Sequence, residues 1–459
     1  MADFLLPSTP IYGHVRPMLT IGAGLRERGH AVTVLTGSKY EAAVRAAGLR
    51  FRPLPAAADY DDADLSGWLP DRGRYRGVAA GRYDVIGLFI RPLQAQNQAL
   101  ADALRAGTYD AVICETGYLG ALPALYTVPA VRRLPMIGIS TTPLALMSAD
   151  CAPFGSGLHP GRTSWSRRRN RRINTILHHG PLRPIQQALD AAVGPLGVPP
   201  GVADYFDQAG MFDTTFHLAA PGFEYPRSDM PTSIRLVGPL RPERGTIPRP
   251  DWWADLRAPE PVVHVTQGTV DNVTLGKLLV PAIRGLAGEP VLVVASTGGR
   301  PVAEVVAAVG GPLPSNVRVA EFLPYDELLP LTDVVVTNGG FGGVQQALAH
   351  GLPLVVAGDT EDKPEVAARV AWSGTGVNLR RGTPSPARVR SGVRAVLTDP
   401  RYRRAARRLQ QQIDELGDPL TEIVAAAEVA ATACGPHKVP RTPQPYAATP
   451  SIRSTVVKV

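Results

Sequence analysis

"VVVTNGGFGGVQQALAHGLP", residues 334–353, holds five glycines in a span that otherwise reads as strand, turn and helix. A buried strand ends at Thr337, and an amphipathic helix begins around Gly343. Successive glycines at such a junction let a ligand reach the backbone without meeting side chains. The N–H groups of a first helical turn then point outward, and the helix dipole adds partial positive charge. A diphosphate suits that environment. A tight helix–sheet contact that binds nothing explains the glycines equally well. The spacing "GGFGG" is not the dinucleotide-binding fingerprint, and no GxxxxGK[ST] phosphate loop occurs.

Strand–turn–helix units of this kind recur along the chain. "DFLLPS" (3–8), "AVTVLTG" (31–37), "DAVICE" (110–115) and "PMIGIS" (135–140) read as buried parallel strands in the first half. "VVHVTQG" (262–268), "VLVVAS" (291–296), "VRVAEF" (317–322), "DVVVTN" (333–338) and "PLVVAG" (353–358) repeat the theme in the second. Such runs, separated by helical patterns, predict βαβ units and parallel sheets covered on both faces. At 459 residues the chain is too long for one core. The predicted class is therefore α/β, with two doubly wound Rossmann-like domains.

The division falls at "VGPLRPERGTIPRPD" (237–251), where four prolines and few apolar residues forbid a strand or helix core. This gives a first domain over 1–237, a linker over 238–250 and a second domain over 251–434. Near the end, Asp399-Pro400 and Asp418-Pro419 each read as an N-cap followed by a first helical residue, and Gly435 closes the second helix. Residues 435–459 lack a core-forming pattern and read as a disordered basic tail.

The net charge of +8 is local. "RRRNRR" (167–172) carries five arginines, and the tail adds Lys438, Arg441, Arg453 and Lys458, so the remainder is near neutral. A nucleic-acid partner is not expected from that distribution. Three cysteines make no disulfide framework and suit a reducing compartment. "MADFLLPSTP" lacks the features of a signal peptide, and no run approaches 18 apolar residues. A cytoplasmic protein is expected.

"NGGFGGVQQALAHGLPLVVAGDTEDKPEVAARV" (338–370) resembles the donor-binding signature of GT-B glycosyltransferases of the macrolide and plant-metabolite type, roughly HGGxGTxxEAL, GVP and DQxxNA. The register holds without a gap from Asn338 to Asp362. "GHVRP" (13–17), "VTQGT" (265–269) and "EFLPYDELLP" (321–330) extend the likeness to about residue 434. It implies a GT-B fold, with two domains facing across a cleft, and an inverting transfer of a hexose from a UDP- or dTDP-sugar to a hydroxyl of a hydrophobic small molecule. The nucleotide-sugar is a co-substrate; no cofactor or metal is implied.

The same resemblance distributes roles. Phe322 takes the base-stacking position and the Leu323 backbone reads the pyrimidine edge. Gln267, Gly268 and Thr269 line the diphosphate on one side, and Asn338, Gly340, Gly342 and Gly343 on the other. Gln346 stands where the family has a ribose-binding Glu, and Asp362 and Lys363 where an Asp-Gln pair holds the sugar. Asn338, Gln346 and Lys363 are departures from the family's His, Glu and Gln, read as altered donor preference. His14 is the expected general base, in a loop before a helix starting near Arg16-Pro17. Glu115 replaces the family's orienting Asp.

Other features read as ordinary. Asp59-Tyr60-Asp61 imitates a metal-binding DxD but sits in an acidic stretch that reads as a solvated loop. His178-His179 lack further ligands at zinc spacing. The arginine run reads as a solvated face, with peripheral contact to anionic lipid as the alternative. A lipid acceptor, a nucleotide-sugar-binding protein with weakened catalysis and a sugar-nucleotide epimerase are the competing functions. Oligomeric state is not legible.

Overall fold

Strand runs this apolar must be covered on both faces. The computed structural model, which describes residues 1–161, 163–241, 247–268, 272 and 274–433, arranges them in two sheets. The first contains β1 (Asp3–Pro7), β2 (Ala31–Thr36), β3 (Arg50–Pro53), β4 (Ala111–Glu115), β5 (Met136–Ser140), β6 (Thr214–His217) and β7 (Ile234–Leu236). Its order is β3-β2-β1-β4-β5-β6-β7. The second contains β8 (Val262–Thr266), β9 (Leu292–Ser296), β10 (Val317–Ala320), β11 (Val334–Thr337), β12 (Leu354–Val356) and β13 (Gly376–Asn378). Its order, β10-β9-β8-β11-β12-β13, repeats the first six positions of the other sheet, and every pair in both is parallel. The order reverses between β1 and β4 and again between β8 and β11. These are the switch points at whose carboxyl ends doubly wound sheets bind ligands.

Six helices place the site: α1 (Tyr12–Glu27), α2 (Ser164–His179), α3 (Phe341–Ala349), α4 (Lys363–Ser373), α5 (Pro400–Leu416) and α6 (Pro419–Ala433). Two of them start earlier than the sequence suggests. α1 begins at Tyr12 rather than near Arg16-Pro17, because Asp62 Oδ2 accepts the Tyr12 N–H at 2.7 Å and so caps it. His14 therefore sits in a helical first turn, not a loop, and Pro17 lies inside the helix. α3 begins at Phe341 rather than Gly343, its first turn closed by Val344 N–H on the Gly340 carbonyl at 3.1 Å. Burial of Phe341, Val344 and Leu348 offsets the glycines' poor helix propensity.

The chain crosses between the two units more than once. After β6, Ala219, Ala220 and Phe223 join the core formed by Phe341, Val344 and Leu348 of α3 and Leu409 of α5. α6 returns to the first sheet, where Ile423, Val424 and Ala427 pack among Met18, Ile21 and Val34. The caps of α5 and α6 form as read: Asp399 accepts from Arg401 N–H and Asp418 from Thr421 N–H, both at 3.0 Å. Gly435, the tail and part of the linker (242–246) lie outside the described residues. Among those described, no helix is long and apolar enough to cross a membrane.

Candidate active site

The carboxyl ends of β1 and β4 bring together two residues a hundred positions apart. His14 Nδ1 lies 2.9 Å from Glu115 Oε1, a close contact that is not aligned for a straight hydrogen bond. Glu115 is buried, and the same oxygen accepts the Gly117 N–H at 2.6 Å. Burial alone would depress the His14 pKa. The Glu115 charge, helped by Asp362 and Asp62, more than reverses this and raises it above 6.5. Asp362 belongs to the second domain. Its neighbour Glu361 accepts from Arg72 of the first domain at 3.2 Å, so the loop that carries Asp362 abuts that domain.

Asp62 corrects the reading of the acidic stretch. It is buried, caps α1, and takes the Tyr40 hydroxyl at 2.7 Å and Lys39 Nζ at 2.6 Å. Asp59 holds the Ser38 N–H at 3.0 Å, and Tyr60 is buried with its hydroxyl on the Leu88 carbonyl. The stretch is held to the start of α1, to the turn after β2 and to the Leu88 carbonyl rather than solvated along its length. A buried cap of this kind has no sequence signal, because its partner lies 50 residues away.

Aromatic rings continue from His14 into the first domain. Phe89 stands 5.8 Å from the imidazole, Tyr205 6.4 Å from Phe89, and Phe206 5.2 Å from Tyr205. Phe89 is presented by a wide π-turn, Ile86–Ile90, in which Trp68 Nε1 donates to the Gly87 carbonyl at 2.9 Å. His178 completes the series, edge-on to Phe206 at 5.3 Å. No motif in the sequence marks Phe89 or Tyr205; both are scattered aromatics. The arginine run lies on α2, where Asn170 and Asn174 face inward and Arg168, Arg171 and Arg172 are exposed.

In the second domain, β8 and β11 end in register, Thr266 beside Thr337, so the loops after them touch. Asn338 Nδ2 donates to the Gln267 carbonyl, and its Oδ1 accepts the Gly340 N–H at 3.3 Å. Gln267 turns inward: Nε2 donates to the Thr274 carbonyl at 2.7 Å, and Oε1 accepts Leu278 N–H at 2.9 Å. Gly268, at φ +80°, backs onto Asn338. Thr269 lies outside the described residues.

The five glycines now separate into kinds. Gly339 is demanded by the fold, since φ is +93° and a Cβ would sit 2.8 Å from Val356 Cγ1. Gly342 and Gly343 are not: both are exposed in the first turn of α3, and a Cβ on either would meet nothing within 4 Å. The protein leaves open space beside those amides without a packing reason.

Around this opening, Phe322 is half exposed and its ring stands over Gly299, while Leu323 is buried. Gln346 Nε2 donates to the Leu240 carbonyl of the linker. Asp362 precedes α4 and is partly buried; burial raises its pKa, opposed by Lys363 and His14. Lys363 is buried with its ammonium on Glu361, and Glu361 reaches Arg72 of the first domain at 3.2 Å. Arg72 in turn pairs with Asp84 at 2.9 Å. The described residues contain no group of three His, Cys, Asp or Glu placed to hold a metal ion.

Known proteins resemble this chain in sequence and in fold. Residues 302–430 match the family described as erythromycin biosynthesis protein CIII-like, C-terminal domain. The chain is 38% identical over 413 residues to 4'-demethylrebeccamycin synthase of Lentzea aerocolonigenes, across 90% of this chain and 95% of the relative. It is 36% identical over 438 residues to UDP-glycosyltransferase 2 of Phaeomoniella chlamydospora, across 92% and 96%. The solved calicheamicin glycosyltransferase CalG4 shares the fold, with a TM-score of 0.69 at 22% identity over 95% of this chain and 100% of that one. The chain belongs to the macrolide and secondary-metabolite family of GT-B glycosyltransferases and is a transferase of that family.

Proposed function

We propose that the protein is an inverting, metal-independent hexosyltransferase acting in the reducing cytoplasm, with residues 1–237 binding the acceptor and 251–434 the UDP- or dTDP-sugar. The observation that carries the reading is a pair of features, one at the carboxyl end of each sheet. A buried imidazole–carboxylate pair ends one sheet, and open helix-start amides end the other. With Nδ1 beside Glu115 at 2.9 Å, Nε2 is the ring atom left to receive a proton. It takes the proton of the acceptor hydroxyl as that oxygen attacks the anomeric carbon. The bond from that carbon to the phosphate oxygen breaks on the opposite face, and the diphosphate departs with the electron pair. One displacement inverts the centre. Departing charge is met by the N–H groups of Gly342 and Gly343 and the dipole of α3; a preorganised donor of this kind contributes about 3 kcal/mol.

Phe322 stacks the base beside the Leu323 backbone. Gln346 offers Oε1 to the ribose, and Asp362 with Lys363 holds the sugar hydroxyls. Gly268, Thr269 and Gly340 border the diphosphate. Asn338 acts mainly by joining the two loops through the Gln267 carbonyl, and the Gln267 amide braces its own loop against Thr274 and Leu278. The acceptor is hydrophobic, because Phe89 and Tyr205 line the approach to His14. Both described cysteines, Cys114 and Cys151, are buried thiols, consistent with the compartment. The test is His14→Ala. Turnover should fall by about 10² to 10⁴ while nucleotide affinity, measured by calorimetry, stays within a few-fold. Unchanged turnover refutes the assignment.

A further inference from the structure

Glu365 sits in the first turn of α4, where a carboxylate ordinarily faces water, yet it is only 3% exposed. Burying an ion costs several kcal/mol unless its partners are excellent, and here they are. Oε1 accepts two backbone N–H groups of the first domain, Gly155 at 2.8 Å and Gly157 at 3.0 Å. Oε2 pairs with Arg369 Nη1 at 2.7 Å. Gly155 and Gly157 have φ of +86° and +61°, so this loop adopts backbone that favours glycine where it turns both N–H groups onto one oxygen. The other end of the same loop is held too. Arg369 Nη2 donates to the Leu144 carbonyl at 3.2 Å, and Glu224 accepts the Leu144 N–H at 3.1 Å.

Between those anchors the loop carries Phe154, which lines a small cavity with His178, Leu182 and Phe206, the far end of the aromatic series that starts at His14. At its start, the same helix follows Asp362, whose charge reaches the His14 ring. One helix thus presents sugar-side groups at its first turn and grips the aromatic wall of the other domain with the next carboxylate along. We propose that Glu365 is a positioning residue for the acceptor: it fixes loop 153–157, and through Phe154 the wall against which the acceptor lies, to the donor-binding helix. This rests on the transferase reading of the cleft. Stability alone does not require the contact, since Arg369 still joins the domains through Glu224 at 2.7 Å.

The experiment compares wild type, Glu365→Ala, Gly155→Ala and the double variant in steady-state assays. UDP-glucose and dTDP-glucose serve as donors, and the acceptor is whichever of quercetin and a set of macrolactone aglycones the wild type glycosylates fastest. Gly155→Ala disturbs the contact from the loop side by backbone strain, because an added Cβ meets nothing within 4 Å. Each single variant should raise acceptor KM about tenfold, the effect of losing charge-assisted hydrogen bonds, with donor KM and kcat within about twofold. The double variant should be no worse than the weaker single, since both remove one interaction. Unchanged acceptor KM in either single variant, effects that multiply in the double, or a rise shared equally by donor KM overturns the role. A wild type that transfers no sugar from either donor defeats the underlying reading instead, so the two failures are distinguishable.

Discussion

At the scale of single residues, the His14–Glu115 pair makes a signed prediction about pH. The base works when neutral, and its pKa is raised above 6.5. Activity should therefore climb with pH through an acid limb lying above 6.5. Glu115→Gln removes the charge that raises the pKa, so the limb should move to lower pH, while turnover falls by about 10² or more as the ring loses its orientation. A kcat/KM profile measured from pH 5 to 9 on both proteins checks this; a limb that stays put means Glu115 does not act on the ring. The place of His14 at the carboxyl end of β1 was legible in sequence because "GHVRP" follows a strand, although its first-turn helical position was not. Asp62, Glu365 and Arg369 were not, for a common reason: each is a charge whose meaning comes from what folds over it. Arg369 and its partner Glu224 stand 145 positions apart, and no local pattern marks either as buried.

At the scale of elements, the nine strands read from sequence are apolar runs that, apart from the half-buried β10, are almost wholly buried. β3, β6, β7 and β13 escaped notice. "RFRP", "TTFH", "IRL" and "GVN" are three or four residues long, and all but β6 lie at a sheet edge, where one side of the strand needs no apolar partner. Glycine behaviour in the turn before α3 separates fold from function. Gly339→Ala should destabilise the protein by about 1 kcal/mol or more, because it forces a side chain to positive φ against Val356. Gly342→Ala should leave stability unchanged or raise it by up to about 1 kcal/mol, since alanine favours a helix and its Cβ meets nothing. Thermal unfolding of the two variants distinguishes them; equal losses would mean that Gly342, too, is there for packing.

At the scale of the whole molecule, the two units are joined by charge as well as by apolar crossings. Burial alone would raise the Glu224 pKa, but Arg369, His217 and Arg227 hold it well below its ordinary 4.5. Burial depresses the pKa of His217; Glu224 opposes this, and Arg369 and Arg227 add to the depression. Both depressions act in one direction. The stability contributed by this pair should begin to fall as pH drops below 6.5, where unfolded His217 takes up a proton that the folded ring resists, a loss that the raised pKa of His14 opposes. It should fall further below 4.5, where Glu224 does the same. Chemical denaturation at pH 8, 6 and 4 measures the trend. Arg369→Met should cost about 3 kcal/mol by leaving Glu224 short of its main partner, and a variant as stable as wild type would remove the ion network from the account. The central claim concerns the cleft these contacts hold together: a diphosphate rests on the open amides that begin α3, opposite His14. Calorimetric titration of UDP and dTDP into wild type and Gly342→Ala tests it most directly. The account predicts that at least one nucleotide binds wild type and loses about tenfold or more in affinity to the variant, with no loss of thermal stability. Equal affinity in the two proteins, or no binding to wild type, contradicts it.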